Sequence, residues 1–206
     1  MTEISLNPEI IPLDEGELVL IRSLLPDPEP IQQQLMQEIP WRQDVLNFGG
    51  REILIPRLQS WHGAPHCTYT YSRLKLAPNS MTSTLTYLQQ VAQTHAGTPF
   101  NCVLCNYYRT GNDSVSWHAD NEPELGRDPV IASISFGSER EFQLRHIRHR
   151  RQVLKLQLPP NSLLIMRGSL QHHWQHQLPK TSQAAPRLNL TFRYIAAHEF
   201  ENAPYT

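Results

Sequence analysis

The chain has 206 residues, of which 39% are hydrophobic and 18% charged, with a formal net charge of −1. These values describe one ordinary globular domain, too short for a second independent core. They exclude a globally basic surface of the kind that coats nucleic acid. No apolar run approaches the ~20 residues of a membrane span. The opening MTEISLNPEIIPLDEGE is acidic and lacks a signal-peptide layout. Three cysteines argue against a disulfide framework and for a reducing compartment: cytoplasm or nucleus, or the bacterial cytoplasm in a prokaryote.

The N-terminal stretch to about Pro26 reads as extended. In PDPEPIQQQLMQEIPW, Ile31, Leu35 and Ile39 recur four apart behind an Asp/Pro start, which predicts a short amphipathic helix. A second helix is predicted from Met81 to about His95. Leu85, Leu88 and Ala92 share one face, Asn79 or Ser80 caps it and Gly97 ends it. From Phe100 the period changes to two. FNCVLCNYY, VIASISFG, EFQLRHI, VLKLQL, SLLIMRG and RLNLTFRYI are short runs separated by turn residues such as Pro159-Pro160-Asn161. Six or more strands after two helices predict an α+β, mainly β fold: a sandwich or jelly roll with helices packed outside and a mouth suited to a ligand.

Chemistry concentrates in three places. Ser116-Trp117-His118-Ala119-Asp120 sets an imidazole and a carboxylate two residues apart, which an extended backbone directs to one face. HHWQHQLP offers His176 as a third ligand, with His172 and His173 as competitors. Two histidines and one carboxylate form a facial triad that leaves metal positions open for a chelating co-substrate and dioxygen. In RLNLTFR, Arg187, Asn189, Thr191 and Arg193 share one face, and Leu188, Leu190 and Phe192 the other. Two guanidinium groups, an amide and a hydroxyl suit a dicarboxylate; the bland alternative is a solvated edge strand. Asn106 and Tyr108, also two apart, could join that face. A hydrolytic zinc site needs no such anion clamp.

NYY, HAD, HHWQHQLP and RLNLTFR, in this order, resemble the AlkB family of nucleic-acid dealkylating dioxygenases, most closely its animal members acting on DNA and RNA. The likeness also takes in PRLQSWHG, TYTYSRLKLAP and DSVSWHADNEPELGRDPVIASISFG, roughly residues 45 to 196. It implies a double-stranded β-helix (jelly roll) with an N-terminal nucleotide-recognition lid. The single domain would divide into an N-terminal extension and helix (1–44), the lid (45–80), a helix (81–97) and the catalytic core (98–200). It implies His118, Asp120 and His176 as Fe(II) ligands. It also implies Asn106, Tyr108, Arg187 and Arg193 as 2-oxoglutarate contacts, with Asn189 and Thr191 lining the same face.

By the same resemblance, Tyr71 stacks a methylated base against His118, with Tyr69 nearby, and Glu122 approaches the exocyclic amino group. Asn121 stands where relatives often carry Asp, which affects substrate preference and not the chemistry. Between Arg140 and Arg151, Arg145, Arg148, Arg150 and Arg151 form either a solvated hairpin or a phosphate-contacting patch, and Arg57 and a Phe48 wedge or lid are further candidates. The implied activity is oxidative demethylation of 1-methyladenine and 3-methylcytosine in single- or double-stranded DNA, or in RNA, by a monomer. It consumes 2-oxoglutarate and O2, releases succinate, CO2 and formaldehyde, and is assisted by ascorbate in vitro. The competing expectations are an RNA/tRNA demethylase, a protein oxygenase, a zinc hydrolase and a catalytically inactive binding module.

Other signals are set aside. Cys102 and Cys105, three apart on a strand, face opposite ways and lack a second pair for zinc. His62, His66, His95 and His198 have no partner at ligand spacing.

Overall fold

The computed structural model describes residues 7–48, 51–71, 74–182 and 185–196, and the side chains of residues 47–48, 69–71 and 74–76 lie outside that description. Its N-terminal elements are β1 (Glu9–Leu13), β2 (Gly16–Arg22), α1 (Glu29–Glu38), β3 (Val45–Phe48), β4 (Arg51–Leu54), β5 (Leu58–Gly63), β6 (Tyr69–Tyr71), β7 (Leu74–Leu76) and α2 (Ser83–Ala96). The remainder comprises β8 (Cys102–Tyr108), β9 (Val115–His118), β10 (Ile131–Gly137), β11 (Arg140–His146), β12 (Val153–Leu158), β13 (Ser162–Gly168), α3 (Leu170–His173), β14 (Trp174–Leu178) and β15 (Arg187–Arg193).

Three layers result. A seven-stranded sheet in the order β1-β2-β13-β10-β15-β8-β5 faces a four-stranded sheet, β12-β11-β14-β9. The pairings within both sheets are antiparallel. On the outer face of the large sheet, Val103, Cys105, Ile134, Leu188, Leu190 and Phe192 pack against Leu35 of α1 and Leu85, Leu88 and Ala92 of α2. On its inner face, Leu20, Cys102, Leu104, Ile131 and Leu164 meet Phe142, Leu144 and Trp174 of the small sheet. The large sheet is thus covered on both sides, so its central strands bury nearly every residue. Cys102 and Cys105 lie in opposite clusters, as alternation on one strand requires.

Local chemistry explains the helix ends. The Thr82 hydroxyl accepts from Leu85 N at 3.1 Å and donates to Glu38 Oε1 at 2.5 Å, joining α2 to α1. Thr82 is therefore the cap in place of Asn79 or Ser80. Asn79 is committed instead to Ser60 Oγ and Trp61 O, and the Ser80 carbonyl faces His62 Nδ1. Gly97 ends α2 at φ 68°.

Two segments expected outside the core belong to it. β2, within the predicted 1–44 extension, pairs with β13 along seven positions, and its Leu18, Val19, Leu20 and Ile21 are buried. β5, within the predicted lid, pairs with β8 and buries Gln59, Ser60, Trp61 and His62. β2 fits because Leu18 and Leu20 join one core cluster and Val19 and Ile21 the other, and β5 because Trp61 joins the inner cluster while Gln59, Ser60 and His62 find hydrogen-bond partners. The hairpins β3–β4 and β6–β7 are the parts of 45–80 that stand apart as two-stranded units.

Candidate active site

His118 ends β9, and Asp120 follows two residues later on the same inward face. His176 on β14 pairs directly with His118 across the small sheet. One ligand atom from each of His118, Asp120 and His176 lies within 4.8 Å of the others. The two imidazole centroids are 4.2 Å apart. The competitors are directed elsewhere: His172 hydrogen-bonds to the Arg127 carbonyl, and His173 Nδ1 lies 3.4 Å from Glu15 Oε2. His118 Nδ1 lies 2.8 Å from the Ser116 carbonyl, which can only accept. The Nδ1–H tautomer follows, which makes Nε2 the nitrogen with a lone pair and thus the one that can ligate a cation.

Electrostatics favour the ligating forms. Burial lowers the His118 pKa, although Asp120 opposes it. Burial, and then the neighbouring His118, bring His176 down to about 3. Burial alone would raise the Asp120 carboxyl, but the Arg193 guanidinium, with His176 and His118, outweighs it and holds the group at about 2.

The polar face of β15 forms one wall of the chamber between the sheets. Its partners β10 and β8 place Ser135 opposite Asn189, Ser133 opposite Thr191, and Asn106 opposite Asn189. The two arginines do different work. Arg193 Nη2 donates to Asp120 Oδ1 at 2.8 Å, so it braces the triad carboxylate. Arg187, at the other end of the strand, is 2% exposed and donates to Ser135 Oγ at 2.8 Å, with its guanidinium 5.4 Å from the Tyr108 ring centroid. Gly137 permits this placement: a Cβ there would come 2.5 Å from the Pro186 carbonyl, beside Arg187. Asn189 Nδ2 donates to Ser133 Oγ at 2.7 Å, and Thr191 Oγ1 donates to Asn189 Oδ1 at 3.0 Å. These two residues thus act as a tied floor. Ser133 and Ser135 were not singled out from the sequence, although their alternation in IASISFG carries the signal.

Arg57 is not the surface phosphate contact expected from the sequence. It is 4% exposed, and its Nε donates to Asn106 Oδ1 at 2.7 Å. The cause is β5 joining the large sheet, which draws Pro56-Arg57 inward. Arg57, Val115 and His118 form the wall between the chamber and an outer cleft of about 450 Å³. Leu46, Ile53 and Leu54 of the β3–β4 hairpin line that cleft, with Trp117 and Glu122. Asn121 is exposed and is not part of that lining. The side chains of Phe48, Tyr69 and Tyr71 lie outside the described residues, as does His198.

The arginine-rich segment divides. Arg140 is buried, donating to the carbonyls of Asp113 and Pro179. Arg145 lies 4.2 Å over the Trp117 ring and donates to Gln175 Oε1, which places it on the outer face behind His118. Arg148, Arg150 and Arg151 are exposed at the turn between β11 and β12.

Comparison with known proteins gives this geometry a family. The model of the 2OG-Fe(II) oxygenase superfamily matches residues 17–193. The human alkB homolog 3 dioxygenase is 41% identical over 178 residues, covering 80% of this chain and 60% of that protein. Human DNA oxidative demethylase ALKBH2 is 36% identical over 178 residues, covering 81% and 68%. The chain belongs to the AlkB family of 2OG-Fe(II) oxygenases. The solved structure of OsALKBH1 shares the fold, with a TM-score of 0.62 at 16% identity over 90% of this chain and 100% of that one. The chain spans 60% of the human and 65% of the rat alkB homolog 3 proteins.

Membership in the AlkB family implies Fe(II) and 2-oxoglutarate, and the residues fit both. Among the described residues, Asp120 Oδ2 is buried without a hydrogen-bond partner beside two neutral imidazoles, a donor set suited to a divalent cation. Arg187 Nε is likewise buried, and among the described residues it has no hydrogen-bond partner and no carboxylate pairs with this guanidinium. A dicarboxylate would supply that missing anion.

The depressed imidazole pKa values predict weak competition from protons. Two ordinary histidines of pKa ~6.5 would cost roughly 100-fold in metal affinity between pH 7.5 and 5.5. Here, calorimetric Mn(II) titrations should change less than about tenfold over that interval. Lowered histidine pKa values mean that the unfolded chain gains protons first, so the metal-free protein loses stability as pH falls below 6.5.

A second cluster, Glu15, His146 and His173, meets the same distance limit among the described residues. His146 Nδ1 accepts the backbone N–H groups of Arg148 and His149, so Nε2 carries the proton and donates to Glu15 Oε2 at 3.1 Å. That bond pins the β11–β12 turn to the β1–β2 turn and leaves His146 itself no lone pair for a cation.

Proposed function

We propose that this protein is an Fe(II)- and 2-oxoglutarate-dependent dioxygenase that demethylates N-alkylated bases, 1-methyladenine and 3-methylcytosine, in DNA. The observation that carries the reading is a pair of adjoining cavities that share Arg57, Val115 and His118 as their common wall. The His118–Asp120–His176 triad stands between a buried arginine and an outer cleft large enough for a nucleoside.

His118, Asp120 and His176 would hold the metal, and Arg187 would bind the far carboxylate of 2-oxoglutarate. Bound there, iron, 2-oxoglutarate and O2 supply the oxidation of the N-methyl group, which leaves as formaldehyde with succinate and CO2 as co-products. Arg193 keeps Asp120 ionised and oriented. The Asn189–Thr191–Ser133 network fixes the chamber wall, and the surrounding apolar residues keep it dry. In the cleft, Glu122 offers negative charge to a cationic methylated base, while Arg57 holds the opposite wall through Asn106. Poorly paired lesions are flipped at less cost than normal pairs.

Ascorbate would assist turnover in vitro by keeping iron reduced. Three free, buried thiols support a reducing compartment, the cytoplasm or nucleus. The protein is proposed to act as a monomer. The test is formaldehyde release from 3-methylcytosine oligonucleotides offered as single-stranded DNA, duplex DNA and RNA. Preference for RNA would reassign the substrate, and metal binding without turnover would make this a binding module.

The exposed Arg148, Arg150 and Arg151 are proposed as phosphate contacts. Replacing all three by glutamate should weaken oligonucleotide binding at low salt. The slope of log affinity against log salt should flatten by about 0.7–0.9 for each phosphate no longer neutralised. Unchanged affinity in fluorescence anisotropy would make the turn a solvated hairpin.

A further inference from the structure

Asp120 is held from two sides. Arg193 holds its carboxylate, and its main-chain N–H donates to Gln171 Oε1 at 2.9 Å. Gln171 is 0% exposed, and its Nε2 faces Met166 Sδ at 3.6 Å. The orientation of the amide is thereby set, because only the oxygen can accept an N–H. Gln171 lies in α3, which leads directly into β14 and His176. The bond therefore ties the peptide carrying one ligand to the element carrying another.

We infer that Gln171 is a positioning residue of the metal centre. It touches neither metal nor substrate. It fixes the backbone at Asp120 so that Oδ2 faces the gap shared with His118 and His176. If Gln171 only filled space beside buried Leu170, Met166 and Trp174, an apolar side chain would serve better than an amide. Ser116 plays the matching part for His118 through its carbonyl, and Arg193 for the carboxylate. Among the described residues, these three contacts hold Asp120 and His118 in place before any metal binds, a precondition for a preorganised site.

This inference rests on the metal-site reading above, and the experiment separates the two. Mn(II) alone is titrated into wild type, Gln171→Met and Gln171→Glu, with free Mn(II) read by electron paramagnetic resonance. Melting curves of the metal-free proteins are recorded alongside. Methionine matches the volume of glutamine but lacks a strong acceptor, whereas glutamate keeps an acceptor oxygen. Gln171→Met should weaken Mn(II) binding by roughly 10- to 100-fold, and Gln171→Glu by less than about threefold, whatever their melting temperatures. Wild-type affinity in Gln171→Met, or equal losses in both variants, would overturn the inference. Should Gln171→Met not fold, Gln171→Glu decides alone: retained affinity supports the role and a tenfold loss overturns it. A wild type that binds no Mn(II) contradicts the metal site itself, independently of Gln171.

Discussion

Asp120→Ala is expected to abolish demethylation and to weaken divalent-metal binding by more than the roughly 100-fold typical of losing an outer support. Two effects combine. The triad loses its anionic ligand, the one member that offsets the charge of a divalent cation. Arg193, which is 3% exposed, also loses the carboxylate it faces at 2.8 Å. Removing one partner of a buried ion pair typically costs ~3–5 kcal/mol, so the metal-free variant should also melt earlier. Asp120→Asn separates the two effects. Its amide oxygen still accepts from Arg193, which should recover part of the stability, while metal affinity stays low. If Asp120→Asn binds Mn(II) like wild type, the carboxylate is not a ligand.

Arg187→Met should act with opposite signs on stability and function. Burial lowers the Arg187 pKa to about 10, so it remains charged at neutral pH while buried without a carboxylate partner among the described residues. Such a group is costly in the empty protein. Exchanging it for an apolar side chain of similar length should stabilise the fold, by analogy with the ~1–4 kcal/mol seen when buried ion pairs are replaced by well-packed apolar groups. The same change removes the anchor for the far carboxylate. A loss of ~2–5 kcal/mol, or roughly 30- to 5,000-fold in 2-oxoglutarate affinity, follows from truncating one side of a buried charged contact. Metal affinity should change little, because Arg193 and not Arg187 supports Asp120. Arg187→Lys should recover only a fraction of the binding, since an ammonium cannot reproduce the planar fork. Normal 2-oxoglutarate affinity in Arg187→Met would remove the residue from the co-substrate site.

The division of labour between these arginines was not legible in RLNLTFR, although their common face was. Alternation along one strand fixes which side chains share a surface. Which end of that surface meets Asp120 depends on the pairing of β14 with β9 in the other sheet. HAD was readable because two ligands two residues apart need only an extended backbone. Among three nearby histidines, residue spacing could not choose. The single turn of α3 aims His172 and His173 outward before β14 carries His176 in. The burial of Arg57 and the incorporation of β2 were hidden for a related reason. Each depends on long-range strand pairing, which local periodicity does not encode. Gln171 gave no signal at all, since its role is a contact with a main-chain N–H fifty-one residues away.

The stoichiometry of products from a 3-methylcytosine oligonucleotide tests the central claim most directly. With Fe(II), 2-oxoglutarate and O2, wild type should release formaldehyde and succinate in equal amounts as cytosine is restored. Omission of any one of the three, or Asp120→Ala, should reduce both to background. Repair that persists without 2-oxoglutarate, or succinate release that never accompanies formaldehyde, would contradict it.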